Sequence, residues 1–125
     1  VLPAIESGRH VVSDRSVYSS LAYQGYGREL DLESLRRFNS WAIQDVWPDL
    51  VVFIDVPLDV LLERLKKREL DRFEREDRSF FERVLRGFHE MARQEPSRWL
   101  VVDGSPPKDE LEGTIRRLIA ERLSI

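Results

Sequence analysis

Asp14-Arg15 is followed at short range by Ser19, Ser20, Tyr23 and Gln24, a set of side chains that could do chemistry together. Arg15 carries a planar fork of donors suited to a phosphate. Asp14 offers a carboxylate that could order a hydrated Mg²⁺. The two hydroxyls, the phenol and the amide supply the hydrogen-bonding and stacking groups needed to read a flat polar ring. A phosphorylated nucleotide would use all of them. The same residue types also fit a plainer arrangement, in which Asp14 and Arg15 form a surface ion pair at a capped helix and Ser-Ser-x-Ala-Tyr is a small-residue helix face.

The elements that must hold these groups can be traced from hydrophobic periodicity. His10-Val11-Val12 reads as the end of a short buried strand, with Asp14 at its tip, and in open α/β sheets ligands bind just beyond the carboxyl ends of strands. Ser16 is the expected N-cap of a helix over 16–24, which Gly25-Tyr26-Gly27 is expected to break. Asp31 is a second candidate N-cap, ahead of a helix whose inner stripe is Leu32, Leu35, Phe38 and Ala42, widened by Trp41 and Ile43 and stopped by Pro48. Residues 50–56 are almost uniformly apolar, as in a strand buried on both faces of a parallel sheet. A helix opening at Pro57-Leu58-Asp59 follows, with Leu58, Leu61, Leu62 and Leu65 on one side. It runs into a dense, mixed-charge run over 66–78. Ser79 is the expected cap of a long helix with Phe81, Val84, Leu85, Phe88 and Met91 inward. A third strand over 99–103 precedes a last helix capped by Asp109, with Leu111, Ile115, Leu118 and Ile119 inward. Strands alternating with helical runs argue for βαβ units and an α/β fold. Asp55 and Asp103, which end the second and third strands, are read as caps.

Composition narrows the class. The chain has 125 residues, a formal net charge of −3, 34% charged residues and no cysteine. One domain at most, or a piece of one, is expected. The charge balance does not suit nucleic acid or an anionic membrane as a partner. Without cysteine there are no disulfides and no thiolate metal sites. His10 and His89 share no metal-ligand spacing and are expected to be structural. No apolar run reaches the roughly 20 residues that span a bilayer, and no basic stretch with an apolar h-region opens the chain. Val1-Leu2-Pro3-Ala4-Ile5-Glu6-Ser7-Gly8 reads as the last turns of a helix closed by glycine at C′, so the chain is expected to begin in the middle of something.

The string Asp-Arg-x-x-x-Ser-Ser-x-Ala-Tyr-Gln-Gly-x-Gly-Arg over 14–28 closely resembles the thymidylate kinase signature. The likeness continues through Trp47-Pro48-Asp49-Leu50 into Ile54-Asp55-Val56, through Leu70-Asp71-Arg72-Phe73-Glu74 and Phe81-Glu82-Arg83-Val84, and through Val101-Val102-Asp103-Gly104-Ser105. It implies a P-loop kinase-type parallel sheet flanked by helices, here an incomplete three-strand portion filling 1–125, with a lid at about 66–78. It implies transfer of the ATP γ-phosphoryl to dTMP with Mg²⁺, by a cytoplasmic enzyme that is a homodimer when complete. In that frame Arg15 holds the acceptor phosphate, and Asp14 orients the Mg²⁺ water shell or the phosphates. Ser20 and Gln24 read the thymine edge, and Tyr23 stacks near the sugar and disfavours a 2′-hydroxyl. Arg68 and Arg72 are the candidate lid arginines that neutralise the transferring group. No direct protein ligand to a metal is implied.

Two departures from the pattern stand out. Ser16 occupies a position where the family has an aromatic or histidine, and deoxynucleoside kinases carry an acid-Arg-Ser run at a comparable place. The lid is one residue shorter between Arg68 and Glu69. The chain also contains no G-x-x-x-x-G-K-[ST] string to cradle phosphates, which in the resembled family lies upstream. The 125 residues alone are therefore expected to be inactive and poorly stable as a monomer. The alternatives are another P-loop deoxynucleoside or nucleotide kinase, or a non-catalytic remnant of the kinase fold.

Overall fold

Two apolar runs form the sheet. Val51–Asp55 (β1) and Trp99–Asp103 (β2) pair in parallel, with Val51 opposite Trp99 and Asp55 opposite Asp103. The computed structural model describes residues 1–14, 16–67 and 78–124, without the side chains of 65–67. A parallel pair needs a long crossover, and it is supplied through Leu58–Lys67 (α4) and Arg78–Gln94 (α5). The other helices are Leu2–Glu6 (α1), Val17–Ser20 (α2), Leu32–Ala42 (α3) and Lys108–Leu123 (α6). Between α2 and α3 lies a π-helix, Leu21–Gly27. No helix among the described residues is long and apolar enough to cross a membrane.

The core lies where α2 and the π-helix run along α5. Tyr18, Leu21 and Ala22 are buried against Phe80, Phe81, Val84, Met91 and Ala92, with Trp99 of β2 beneath them. Of the expected α5 stripe, Phe81, Val84 and Met91 are buried and Phe88 packs against the core, whereas Leu85 is only half-buried and Phe80, Gly87 and Ala92 are buried as well. Phe53 extends the core from β1 by stacking on Phe88, with ring centroids 5.1 Å apart.

The α/β class with a parallel sheet is as the sequence implies, but the described sheet has two strands, not three. The expected strand over 10–13 is extended chain without a ladder, and Val12 is 96% exposed. A strand is held by its neighbours, and among the described residues none lies beside this segment. The same absence uncovers part of the sheet: Ile54 and Val101 are each about half exposed, so β1 is not buried on both faces.

Local signals hold in most places. Gly8 takes φ +83° directly after α1, whose cap is Ser7, as a C′ glycine should. The Ser16 hydroxyl accepts from the Tyr18 N–H at 3.2 Å and caps α2. The Asp31 carboxylate accepts instead from the Ser34 hydroxyl at 2.6 Å, which lowers its pKa, and no side-chain cap forms there. The following helix ends at Ala42, ahead of Pro48, where Gln44 and Asp45 turn the chain with positive φ. On α3 the expected inner stripe is only partly covered, since Phe38 and Trp41 are 64% and 78% exposed. Helix α5 starts at Arg78, so Ser79 is not its cap. Pro107 rather than Asp109 is the N-cap of α6, and Asp109 lies in its first turn. Asp103 accepts from the Ser105 N–H at 3.0 Å, a turn-capping bond that lowers its pKa, whereas Asp55 pairs with His89 at 3.2 Å.

Candidate functional site

Ser20, Tyr23 and Gln24 lie on one unbroken helical segment. Ser20 ends α2, and Tyr23 and Gln24 lie inside the π-helix. All three are half-buried. Spacing of three and four residues puts groups on one helix face, but here the backbone is wider than an α-helix. The Arg28 N–H donates to the Tyr23 carbonyl at 3.0 Å, five residues back, and the Leu30 N–H donates to the Gln24 carbonyl at 3.1 Å. Wide turns of this kind are frequent at functional sites. The glycines expected to break the helix are inside it. At Gly27 and Gly87 the π-helix and α5 approach too closely for a side chain. A Cβ on Gly27 would lie 2.7 Å from the Phe80 ring, and one on Gly87 would lie 2.5 Å from the Tyr26 ring.

The start of this segment is fastened to the turn between α5 and β2, and its far end to α5 itself. At the start, Tyr18 is 1% exposed, and its hydroxyl donates to Glu95 at 3.1 Å and accepts from Arg98 at 3.4 Å. Arg98 also donates to the Pro48 carbonyl at 2.8 Å and pairs with Glu95 at 2.9 Å. The Tyr18 ring packs edge-on to Trp99 at 5.1 Å and tilts against Trp47 at 5.5 Å. At the far end, Arg83 Nε donates to the Gly27 carbonyl at 2.8 Å and lies 3.8 Å from the Glu29 carboxylate. Tyr23 rests against the Phe80 ring at 6.0 Å, and the Arg28 guanidinium lies over that ring at 5.3 Å. Sequence reasoning missed Tyr18 as an anchor, because its polar partners stand 77 and 80 residues away. Arg83 lies within the Phe81-Glu82-Arg83-Val84 string that carries part of the resemblance, but spacing gives it no role.

Burial, reinforced by the nearby Glu95 carboxylate, raises the Tyr18 pKa above the ordinary phenol value. The folded protein thus keeps this proton at a pH where the unfolded chain has lost it. The stability so contributed is complete below about pH 10 and declines as pH rises from there through the folded pKa. Tyr18→Phe keeps the ring and removes the ionisable group. Urea titrations between pH 8 and about pH 11 should show a shallower alkaline loss in the variant, and equal slopes would refute the assignment.

Asp14 sits on an exposed bend ahead of Ser16, on the same stretch of chain as Ser20, Tyr23 and Gln24. Arg15, Arg68 and Arg72 lie outside the described residues, as does most of the expected lid at 66–78. Its two flanks are joined where Arg78 of α5 meets Asp59 of α4 at 2.8 Å. Both side chains are mostly exposed, so this contact is worth at most about 1 kcal/mol. No cluster of three or more His, Cys, Asp or Glu that could hold a metal occurs among the described residues. With Asp14 on an exposed bend and no such cluster among the described residues, these donors would suit only an ion that keeps its water.

The thymidylate kinase family model matches residues 1–115. The thymidylate kinase of Bordetella pertussis is 40% identical over 126 residues, covering 97% of this chain and 61% of the relative. That of Fervidobacterium nodosum is 37% identical over 115 residues, covering 92% and 58%. Among solved structures, the thymidylate kinase of Ehrlichia chaffeensis superposes with a TM-score of 0.70 at 26% identity, over 94% of this chain and 54% of that one. The chain therefore spans about three fifths of the length of the curated relatives it matches.

Proposed function

Because the chain belongs to the thymidylate kinase family, we propose that the full-length protein transfers the γ-phosphoryl of ATP to dTMP, giving dTDP. What supports this above all is the 14–28 signature, whose base-reading positions Ser20, Tyr23 and Gln24 share one continuous helix packed on α5. In this reading Arg15 grips the acceptor phosphate with its fork, and Asp14 orients the phosphates or the water around the ion. Ser20 and Gln24 hydrogen-bond the thymine edge. Tyr23, kept in place by Phe80, lies along the deoxyribose and crowds out a 2′-hydroxyl. Arg68, Arg72 or both neutralise charge on the moving group. Phosphoryl transfer needs positioning and electrostatics rather than covalent help. Mg²⁺, arriving with ATP, supplies charge compensation on the donor phosphates. The partners are small molecules, with a homodimer as the assembled state and the cytoplasm as the compartment. The 125 residues alone, which hold no P-loop string, do not catalyse transfer.

The test is the full-length protein with ATP, Mg²⁺ and, separately, dTMP, dCMP, dGMP and thymidine. Product should form fastest with dTMP, and a preference for thymidine would assign the chain to the deoxynucleoside kinases instead. Gln24→Ala should raise the KM for dTMP about fivefold, the worth of one neutral hydrogen bond, and leave the KM for ATP alone. Assaying the isolated 125 residues should give no dTDP above the blank.

A further inference from the structure

A π-helix is a costly shape, and something must hold it open. Three observations lie together at its far end. The Gly27 carbonyl, in the last turn and so without an intrahelical donor, receives the Arg83 Nε–H at 2.8 Å. Glu29 adopts φ +59°, a conformation L side chains rarely take, and its carboxylate lies 3.8 Å from the same guanidinium. The i+5 bond from Arg28 to Tyr23 and the longer one from Leu30 to Gln24 both close within this span. One cation thus meets the segment on both sides of Arg28, and it stands on α5, rigidly packed and five residues beyond the helix start at Arg78.

We propose that Arg83 is a positioning residue for acceptor recognition, holding the wide turn open and thereby setting the direction in which Tyr23 and Gln24 face the base. This deepens the proposed function and rests on it. Without the Arg83 donor the Gly27 carbonyl is orphaned and Glu29 loses its counter-charge. The segment then gains by tightening to α-helical bonding, which changes the angle at which Tyr23 and Gln24 stand to Ser20, since each residue of an α-helix advances about 100° and each residue of a wider turn less. Arg83 need not touch the nucleotide to matter to it.

The test uses the full-length protein and its Arg83→Met and Arg83→Lys variants. Methionine keeps the apolar stem without the donors, and lysine keeps the charge without the fork. Arg83→Met should weaken dTMP binding about tenfold by calorimetry, raise the KM for dTMP and leave the KM for ATP unchanged. Arg83→Lys should recover part of the loss. Amide exchange reads the turn directly: the Arg28 and Leu30 N–H groups should exchange about tenfold faster in Arg83→Met, with Val102 in β2 unchanged. Unchanged dTMP binding, unchanged exchange at Arg28 and Leu30, or equal acceleration at Val102 would each overturn the assignment. Failure of the wild type to bind dTMP would overturn the proposed function itself, a result distinct from a wild type that binds and a variant that binds equally well.

Discussion

Gly87→Val lowers unfolding stability by roughly 3 kcal/mol or more, at the upper end of what overpacking costs. Helix propensity predicts the opposite sign for a smaller change, since alanine in place of an exposed helical glycine gains up to about 1 kcal/mol. Geometry decides between them. A Cβ at position 87 would meet the Cγ, Cδ2 and Cβ of Tyr26 at 2.5, 2.6 and 2.7 Å. The last of these atoms is fixed to the π-helix backbone, so the ring cannot simply swing aside. Valine adds two further methyl groups to that clash. Tyr26 is itself partly buried, which raises its pKa, so driving the helices apart also wets a packed phenol. Gly113 of α6 is the control, because nothing lies within 4 Å of a Cβ built there. Gly113→Ala should gain up to about 1 kcal/mol. Urea unfolding of the full-length variants measures both, and a Gly87→Val protein as stable as wild type would mean the helices do not approach as closely as described.

Arg15→Ala is expected to reduce dTMP affinity by a factor on the order of 10² to 10³. The figure follows from losing two charge-assisted bonds to one phosphate. Arg15 lies outside the described residues, so its role is argued from its place between Asp14 and the Ser16 cap and from the signature over 14–28. The discriminating comparison is Arg15→Lys. A lysine keeps the charge but not the planar fork, and should recover only part of the lost affinity. The KM for ATP and the melting temperature should both stay at wild-type values, because the change concerns the acceptor phosphate and not the core. Equal dTMP affinity in Arg15→Ala would remove the phosphate-gripping role and with it the main chemical argument for a monophosphate acceptor.

The parts of the fold governed by adjacent residues were legible, and those governed by distant ones were not. Trp99–Asp103 is legible to the residue, because a short apolar run between Pro96 and Gly104 has little freedom. The Ser16 cap and the Gly8 terminator are single-residue chemistry and stand as read. Gly25 and Gly27 misled. Glycine punctuates a chain most often, yet here its missing side chain serves close packing inside a helix, a purpose only the partners reveal: Leu32 and Leu35 of α3 for Gly25, Phe80 and Val84 of α5 for Gly27. Periodicity identified Phe38 and Trp41 as an apolar face of α3 but could not say what covers that face. The strand expected over 10–13 failed for the related reason that a strand's existence is a property of its neighbours. Of the candidate site, the order of Asp14, Ser20, Tyr23 and Gln24 was readable, while the width of the turn beneath them was not.

The pairing of β1 with β2 has a temporal consequence. Both partners of the early half of the chain, α5 for Tyr18 to Gly27 and β2 for Val51–Asp55, are made late. A nascent chain emerging at about 5–20 residues per second therefore holds Tyr18 to Gly27 and Val51–Asp55 without these partners for several seconds, until Asp103 has cleared the ribosome. During that interval Val51–Asp55 lacks the one mate described for it, and chaperone protection or slow translation would matter there.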